Sequence, residues 1–166
     1  MKEYVIDAKN MDEKELNHTI KEQAAYHDKL IIENPESKHN ICAGLTEDVD
    51  IEINGSAGYF VGTMVNGPKI QINGNAGWFA GDNMTKGELI IEGTAGDGAG
   101  QGIYGGTVIV RGSIYVLGDV KSLGKNAIME KTTLEDQNEL KEILTKYGFE
   151  LTDIDYTNFK KIVNIQ

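Results

Sequence analysis

A glycine-punctuated repeat with a period of 19 residues governs the centre of this chain. It reads IEINGSAGYFVG from Ile51, IQINGNAGWFAG from Ile70 and LIIEGTAGDGAG from Leu89, with a partial fourth copy, VIVRG, from Val108. A unit this short cannot stand alone. Ordering its backbone costs roughly 20–40 kcal/mol at ~1–2 kcal/mol per residue. Each inward Ile, Leu, Val or Met returns only about 1.5–3 kcal/mol. Copies of such a unit must therefore stack and seal one another's apolar faces in a quasi-one-dimensional fold.

The columns of that stack follow from the period. Ile51, Ile70, Leu89 and Val108 form one, and Ile53, Ile72, Ile91 and Val110 a second. Between them stand Glu52, Gln71, Ile90 and Ile109, so the alternation expected of a strand is clean in two copies and becomes an apolar run in the next two. Each strand ends at Gly55, Gly74, Gly93 or Gly112. Ala57, Ala76 and Ala95 follow, then Gly58, Gly77 and Gly96, then Gly62, Gly81 and Gly100, and finally an apolar column of Val65, Met84 and Ile103. The pattern predicts one coil per copy, parallel pairing between successive coils, inward alanines at a tight place, and glycines serving positive φ or close backbone approach. Tyr59 and Trp78 share a column, as do Phe60 and Phe79. Two readings stand side by side: one pair faces outward as a partner contact, or the corner turns and both pairs belong to the core.

The expected organisation is a single domain over 1–166. Residues 1–48 supply an N-terminal strand, a helical cap and a first coil, 49–118 the β-helix repeats, and 119–166 a helical cap. Strands are predicted at Tyr4–Asp7 and Leu30–Glu33. The intervening helix is capped by Asp12 with Glu15 and shows Leu16, Ile20 and Ala24 on one face. Glu36–Asp48 reads as a loop with an apolar patch at Ile41–Ala43. A second helix starts at Thr133, capped with Asp136, carries Leu140, Ile143, Leu144 and Tyr147 on one stripe, and stops at Gly148. Tyr156–Val163 is expected to be a further short helix. The fourth copy loses phase after Gly112, where Tyr115 and Asp119 replace the expected glycines, as a terminal coil would.

The formal net charge of −10 argues against nucleic acid and anionic membrane as partners. No window approaches a membrane span, and the first residues lack the apolar run of a signal peptide. One cysteine, Cys42, excludes an intrachain disulfide and a cysteine zinc cluster. A cytoplasmic protein is expected.

Candidate chemistry is thin. GQGIYG, with Gly100, Gly102 and Gly105, matches a dinucleotide-binding spacing, but that motif must open a helix, and the β-branched run Thr107–Val110 follows. Ser56 has a glycine directly before it, the wrong spacing for a nucleophile elbow, and shares a polar turn column with Asn75, Thr94 and Ser113. His39 with Cys42 could pair as base and thiol, but Cys42 lies between Ile41 and Ala43 and reads as buried, while His39 and Asn40 read as turn-ordering residues. His18 and His27 are placed on the helix surface. Asp82, Asp97 and Asp119 lie near glycine turns without the common phase that a calcium repeat needs. No catalytic, cofactor-binding or metal-binding residue is assigned.

The segments ENPESKHNICAGL, NGSAGYFVG, NGNAGWFAGDNMTKGE and EGTAGDGAGQGIYGG resemble the GXGXG domain. That domain forms the C-terminal part of the glutamate synthase large subunit, occurs as a stand-alone protein, and is also found in the C subunit of formylmethanofuran dehydrogenase. The motifs cover roughly Asn34–Gly112. The resemblance implies a right-handed, single-stranded parallel β-helix with an all-β core, capped by N- and C-terminal helices. It implies a structural role between a glutamine amidotransferase and an FMN-containing synthase, with FMN and iron–sulfur clusters on partner subunits and none here. The expected function is a non-catalytic scaffold of a glutamate-synthase-like complex in glutamate biosynthesis, compatible with a homo-oligomer. The alternatives are a scaffold of a formylmethanofuran dehydrogenase-like complex and a stand-alone β-helix enzyme. The last would need a carboxylate-lined groove that the columns do not supply.

Overall fold

The computed structural model describes residues 1–110, 113–117, 119–120, 127–146 and 155–164. They belong to two compact units, Met1–Gly112 and Ser113–Gln166. In the first, β1 (Glu3–Asp7), β2 (Lys29–Glu33), β3 (Asp50–Asn54), β4 (Asn66–Ile72), β5 (Lys86–Ile91) and β6 (Thr107–Val110) form one sheet in chain order. Every neighbouring pair is parallel. This is a β-solenoid, and the register is the one the period dictates: Ile51 pairs Ile70, Leu89 and Val108 in turn, and Ile53 pairs Ile72, Ile91 and Val110. The column members from Ile51 to Ile91 are buried. Ala57, Ala76 and Ala95 bridge coil to coil and are buried, as the alanine column requires.

The solenoid starts earlier than the visible repeat. Leu30 and Ile32 join the two apolar columns opposite Ile51 and Ile53, 21 residues on, and Ile6 pairs Ile32 across a coil of 26 residues that contains α1 (Glu13–Ala24). The predicted loop 36–48 is thus the arc of a coil. Its unequal length hides it from a search at constant period.

Each arc alternates left-handed residues. Asn40, Cys42 and Gly44 are matched in later coils by Phe60, Gly62 and Met64, by Phe79, Gly81 and Asn83, and by Gly98, Gly100 and Gly102, all with φ between +54° and +73°. Cys42 therefore occupies the first position of the Gly62–Gly81–Gly100 column. The alternation turns successive N–H groups up and down the stack. Phe60 donates to Trp78 O at 2.9 Å in the following coil, and Gly62 to Ile41 O at 2.9 Å in the preceding one.

α1 closes this pattern at the first arc. It begins with the predicted capping box: Glu15 N–H donates to Asp12 Oδ1 at 2.7 Å and Asp12 N–H to Glu15 Oε2 at 3.1 Å. Leu16, Ile20 and Ala24 are buried. Gly81 and Gly100 donate to the preceding coil at 2.8 Å, but Cys42 has no arc before it. The side-chain amide of Asn17 takes the place of the missing peptide. Its Oδ1 accepts from Cys42 N–H at 2.8 Å, and its Nδ2 donates to Asn40 O at 2.9 Å. Asn17→Ala leaves the Cys42 N–H buried without this acceptor and is expected to cost about 1–3 kcal/mol. Asn17→Asp, which keeps the acceptor, should recover part of the loss. Urea denaturation followed at Trp78 measures both, and an unchanged midpoint for Asn17→Ala would show that the amide does not close the ladder.

The second unit is an antiparallel sheet, ordered β7 (Ser113–Leu117), β9 (Phe159–Asn164), β8 (Ala127–Lys131), with α2 (Leu134–Lys146). The expected helix at Tyr156–Val163 is corrected here. Only Tyr156–Asn158 makes a helical turn, and the β-branched stretch after it pairs with strands on both sides. Two flanking partners outweigh the helical preference of an isolated short segment. α2 starts as predicted, with Asp136 N–H donating to Thr133 Oγ1 at 3.2 Å and Thr133 N–H to Asp136 Oδ2 at 2.7 Å. The expected strand end at Gly112, and Tyr147 and Gly148, lie outside the described residues, as does the side chain of Ile143.

Candidate functional site

The glycines of the Gly58–Gly77–Gly96 column serve close approach rather than positive φ. A Cβ on Gly58 would strike the His39 ring, one on Gly77 would lie 2.5 Å from Tyr59 Cδ1, and one on Gly96 would strike Trp78 Cδ1. Each ring rests on the glycine of the following coil. His39, Tyr59 and Trp78 thereby form a ladder, with centroids 4.6 and 5.1 Å apart and planes within 14°. His39 is anchored by its Nδ1, which accepts from Tyr59 N–H at 2.9 Å. The bond runs to the next coil rather than within the turn that His39 was expected to order.

Beside this ladder, Phe60 and Phe79 stack at 5.1 Å with planes 11° apart. The sequence left open whether one pair faced outward or both were core. Neither pair is buried: Phe60 is 37% exposed, and Tyr59, Trp78 and Phe79 are half-buried. Met64, in the same arc as Phe60, is 61% exposed. The corner therefore carries two adjacent ring stacks and a methionine. Stacking covers the ring faces that meet between coils. An apolar stripe suits protein contact.

The two phenylalanines sit at φ +59°, the left-handed region. A non-glycine residue there costs about 1–2 kcal/mol. Gly98 fills the same position one coil later without that cost, and Asn40 one coil earlier at lower cost. Stacking returns about 0.5–1.5 kcal/mol for the pair. Partial burial of the rings adds to that return, and the exposed part of the stack is apolar surface open to a contact.

The other sequence candidates fall into structural roles. Cys42 is buried, and burial pushes its thiol up to about 12, the reverse of an activated nucleophile. His39 is committed to Tyr59. His18 is exposed on α1, but His27 lies beyond the helix end, with its ring 5.0 Å from Tyr4. Ser56 Oγ accepts from Asn75 N–H at 3.1 Å, and Asn75 Oδ1 from Thr94 N–H at 2.9 Å, so the polar turn column is a hydrogen-bond ladder. GQGIYG leads into β6, with Gly100 and Gly102 at left-handed φ. Asp82 accepts from Asn83 Nδ2, Asp97 from Gly98 N–H, and Asp119 pairs with Lys160. Among the described residues no group of three or more His, Cys, Asp or Glu is placed to hold a metal ion. A cleft of about 220 Å³ between α1 and the first arc is lined by Asn17, Ile20, Cys42 and Leu45, among others. It is smaller than the ~300–1,000 Å³ of ordinary ligand sites.

Sequence reasoning missed His39 as the first rung of the ladder and Cys42 as a member of the glycine column. Aligning the first arc to the second at an offset of 20, not 19, would have found both. No helix among the described residues is long and apolar enough to cross a membrane. No protein-family model, curated protein or solved structure matches the chain.

Proposed function

We propose that the chain is a non-catalytic scaffold subunit of a glutamate-synthase-like assembly. It holds a glutamine amidotransferase subunit against an FMN-dependent synthase subunit, so that ammonia released by one is consumed by the other. FMN and iron–sulfur clusters belong to the partners. The motif segments that carry the family resemblance are the ones that build the rigid coils and their aromatic corner. The observation that carries a docking role is the partly exposed Phe60–Phe79 stack beside the Tyr59–Trp78 stack.

The test is capture of amidotransferase and synthase subunits from the native host on the tagged full chain. The comparison is Phe60→Asn/Phe79→Asn, since asparagine tolerates the left-handed region, with circular dichroism checking that the fold is kept. Two central aromatic anchors are each worth about 2 kcal/mol, so capture should weaken on the order of 1,000-fold. Equal capture by the double variant would remove the corner from the interface. Capture of neither subunit, or of a molybdenum or tungsten dehydrogenase instead, would overturn the glutamate synthase reading.

A further inference from the structure

Among the described residues nothing pairs with the outer edge of β1. This strand pairs with β2 and with no other described strand. Lys2 O accepts from Lys29 N–H, and Ala8 N–H donates to Glu33 O. In a parallel ladder the groups alternate sides, so the N–H and C=O of Glu3, Val5 and Asp7 point away from β2. One of the two apolar columns is less covered here, although Ile6 in the other stays buried. Tyr4 is 38% exposed although Leu30, Ile51, Ile70 and Leu89 in its column are buried, and Val5 is 58% exposed. α1 completes the arc side of the first coil through Asn17, but it does not pair with this strand edge.

Charge says what would fit. Glu3, Lys29, Asp50, Lys69 and Glu88 are successive partners across the strands, and their signs alternate at every step. Lys69 Nζ lies 3.5 Å from Glu88 Oε2. The series ends at the outer edge on a negative residue, and the other end of β1 is also acidic, at Asp7. Asp7 stands opposite Glu33, so a cation there would meet two carboxylates, and its Oδ1 accepts from Asn34 Nδ2 and Lys9 N–H. Opposite charges across a ladder stabilise pairing, and like charges oppose it. A second copy of β1 laid antiparallel and centred on Val5 would set Glu3 against Asp7 at both ends.

We propose that the outer edge of β1 receives an extended segment of a partner protein, adding one strand to the solenoid, with lysine or arginine opposite Glu3 and Asp7 and apolar residues between. Backbone groups of Glu3, Val5 and Asp7 supply the affinity, and the two carboxylates supply the selectivity. This inference is independent of the aromatic corner and of the assembly proposed above.

The experiment is fluorescence anisotropy of the full chain with a labelled peptide, Thr-Lys-Val-Val-Val-Lys-Thr, whose symmetric charges serve either strand direction. The same peptide with glutamate for lysine is the comparison. The lysine peptide should bind about tenfold more tightly, since two charge pairs change sign. Glu3→Lys/Asp7→Lys should reverse the preference. Val5→Pro removes an outward N–H and should abolish binding of both, with circular dichroism reporting whether the fold is kept; the charge-reversed variant carries the test if it is not. Equal binding of both peptides, an unreversed preference, or no binding up to about 1 mM would overturn the proposal. So would a dimer of the chain that Val5→Pro dissolves, since the occupant would then be a second copy.

Discussion

Gly87→Ala is expected to lower the unfolding free energy of the Met1–Gly112 unit by roughly 3 kcal/mol or more. Two effects add at this residue. Gly87 has φ +110°, which L side chains rarely adopt, and an added Cβ would overlap the Pro68 carbonyl oxygen of the preceding coil. The next nearest atoms, Gly67 C at 3.2 Å and Pro68 N at 3.3 Å, are also backbone, so no side chain can rotate away. Relief would require the coils to separate, which breaks the ladder that holds them. Gly44→Ala is the control: its φ is +66°, with nothing within 4 Å of the new Cβ, so it carries only the cost of the left-handed backbone, about 1–2 kcal/mol. Urea denaturation read at the single tryptophan, Trp78, compares them. Equal losses would mean that coil spacing is not set by backbone contact at Gly87.

Asp136→Asn should destabilise the Ser113–Gln166 unit by about 2–4 kcal/mol, because it breaks a largely buried charge-assisted network. Asp136 is 5% exposed. It accepts from Tyr115 OH and Lys161 Nζ at 2.7 Å each, and from Thr133 N–H and Oγ1 at 2.7 and 2.8 Å. Burial pushes its pKa up. The Lys161 ammonium, Thr133 N–H, Tyr115 and the Thr133 hydroxyl outweigh burial and hold the carboxyl well below the usual carboxylate range. The folded pKa is thus depressed. Its stabilisation is fully present above the unfolded value of about 3.9 and is lost as pH falls from there toward the folded pKa. Hydrogen exchange of β7 and β9 amides should therefore accelerate on acidification in the wild-type chain, after correction for intrinsic rates. The variant should be faster at neutral pH and lose this acid response. An acid response of the same size in Asp136→Asn would place it on another carboxylate.

How far the sequence could be read follows from what a constant period reports. Ile53, Ile72 and Ile91 could be stacked on paper because equal spacing along equal coils puts equal side chains above one another. The two capping boxes, Asp12 with Glu15 and Thr133 with Asp136, were legible because they need only residues three apart. The strand at Phe159–Asn164 was not, because its partners Ser113–Leu117 and Ala127–Lys131 are distant in the chain and their pairing overrides local preference. The aromatic corner was half legible. Its columns could be listed, but their direction depended on the arc geometry.

The sequence by itself determined that this chain stacks coils, which residues share a column, and that its repeated glycines are architectural, since a 19-residue unit cannot bury its own apolar face. The tertiary structure alone decided why each glycine is there and what the first coil contains. Rings from one coil lie on Gly58, Gly77 and Gly96 of the next, Cys42 stands in a glycine column, and the Asn17 amide stands in for a peptide that the helical first coil does not present. These contacts join coils of 26, 21 and 19 residues. Unequal coil lengths destroy the phase in the sequence while leaving the columns intact in space.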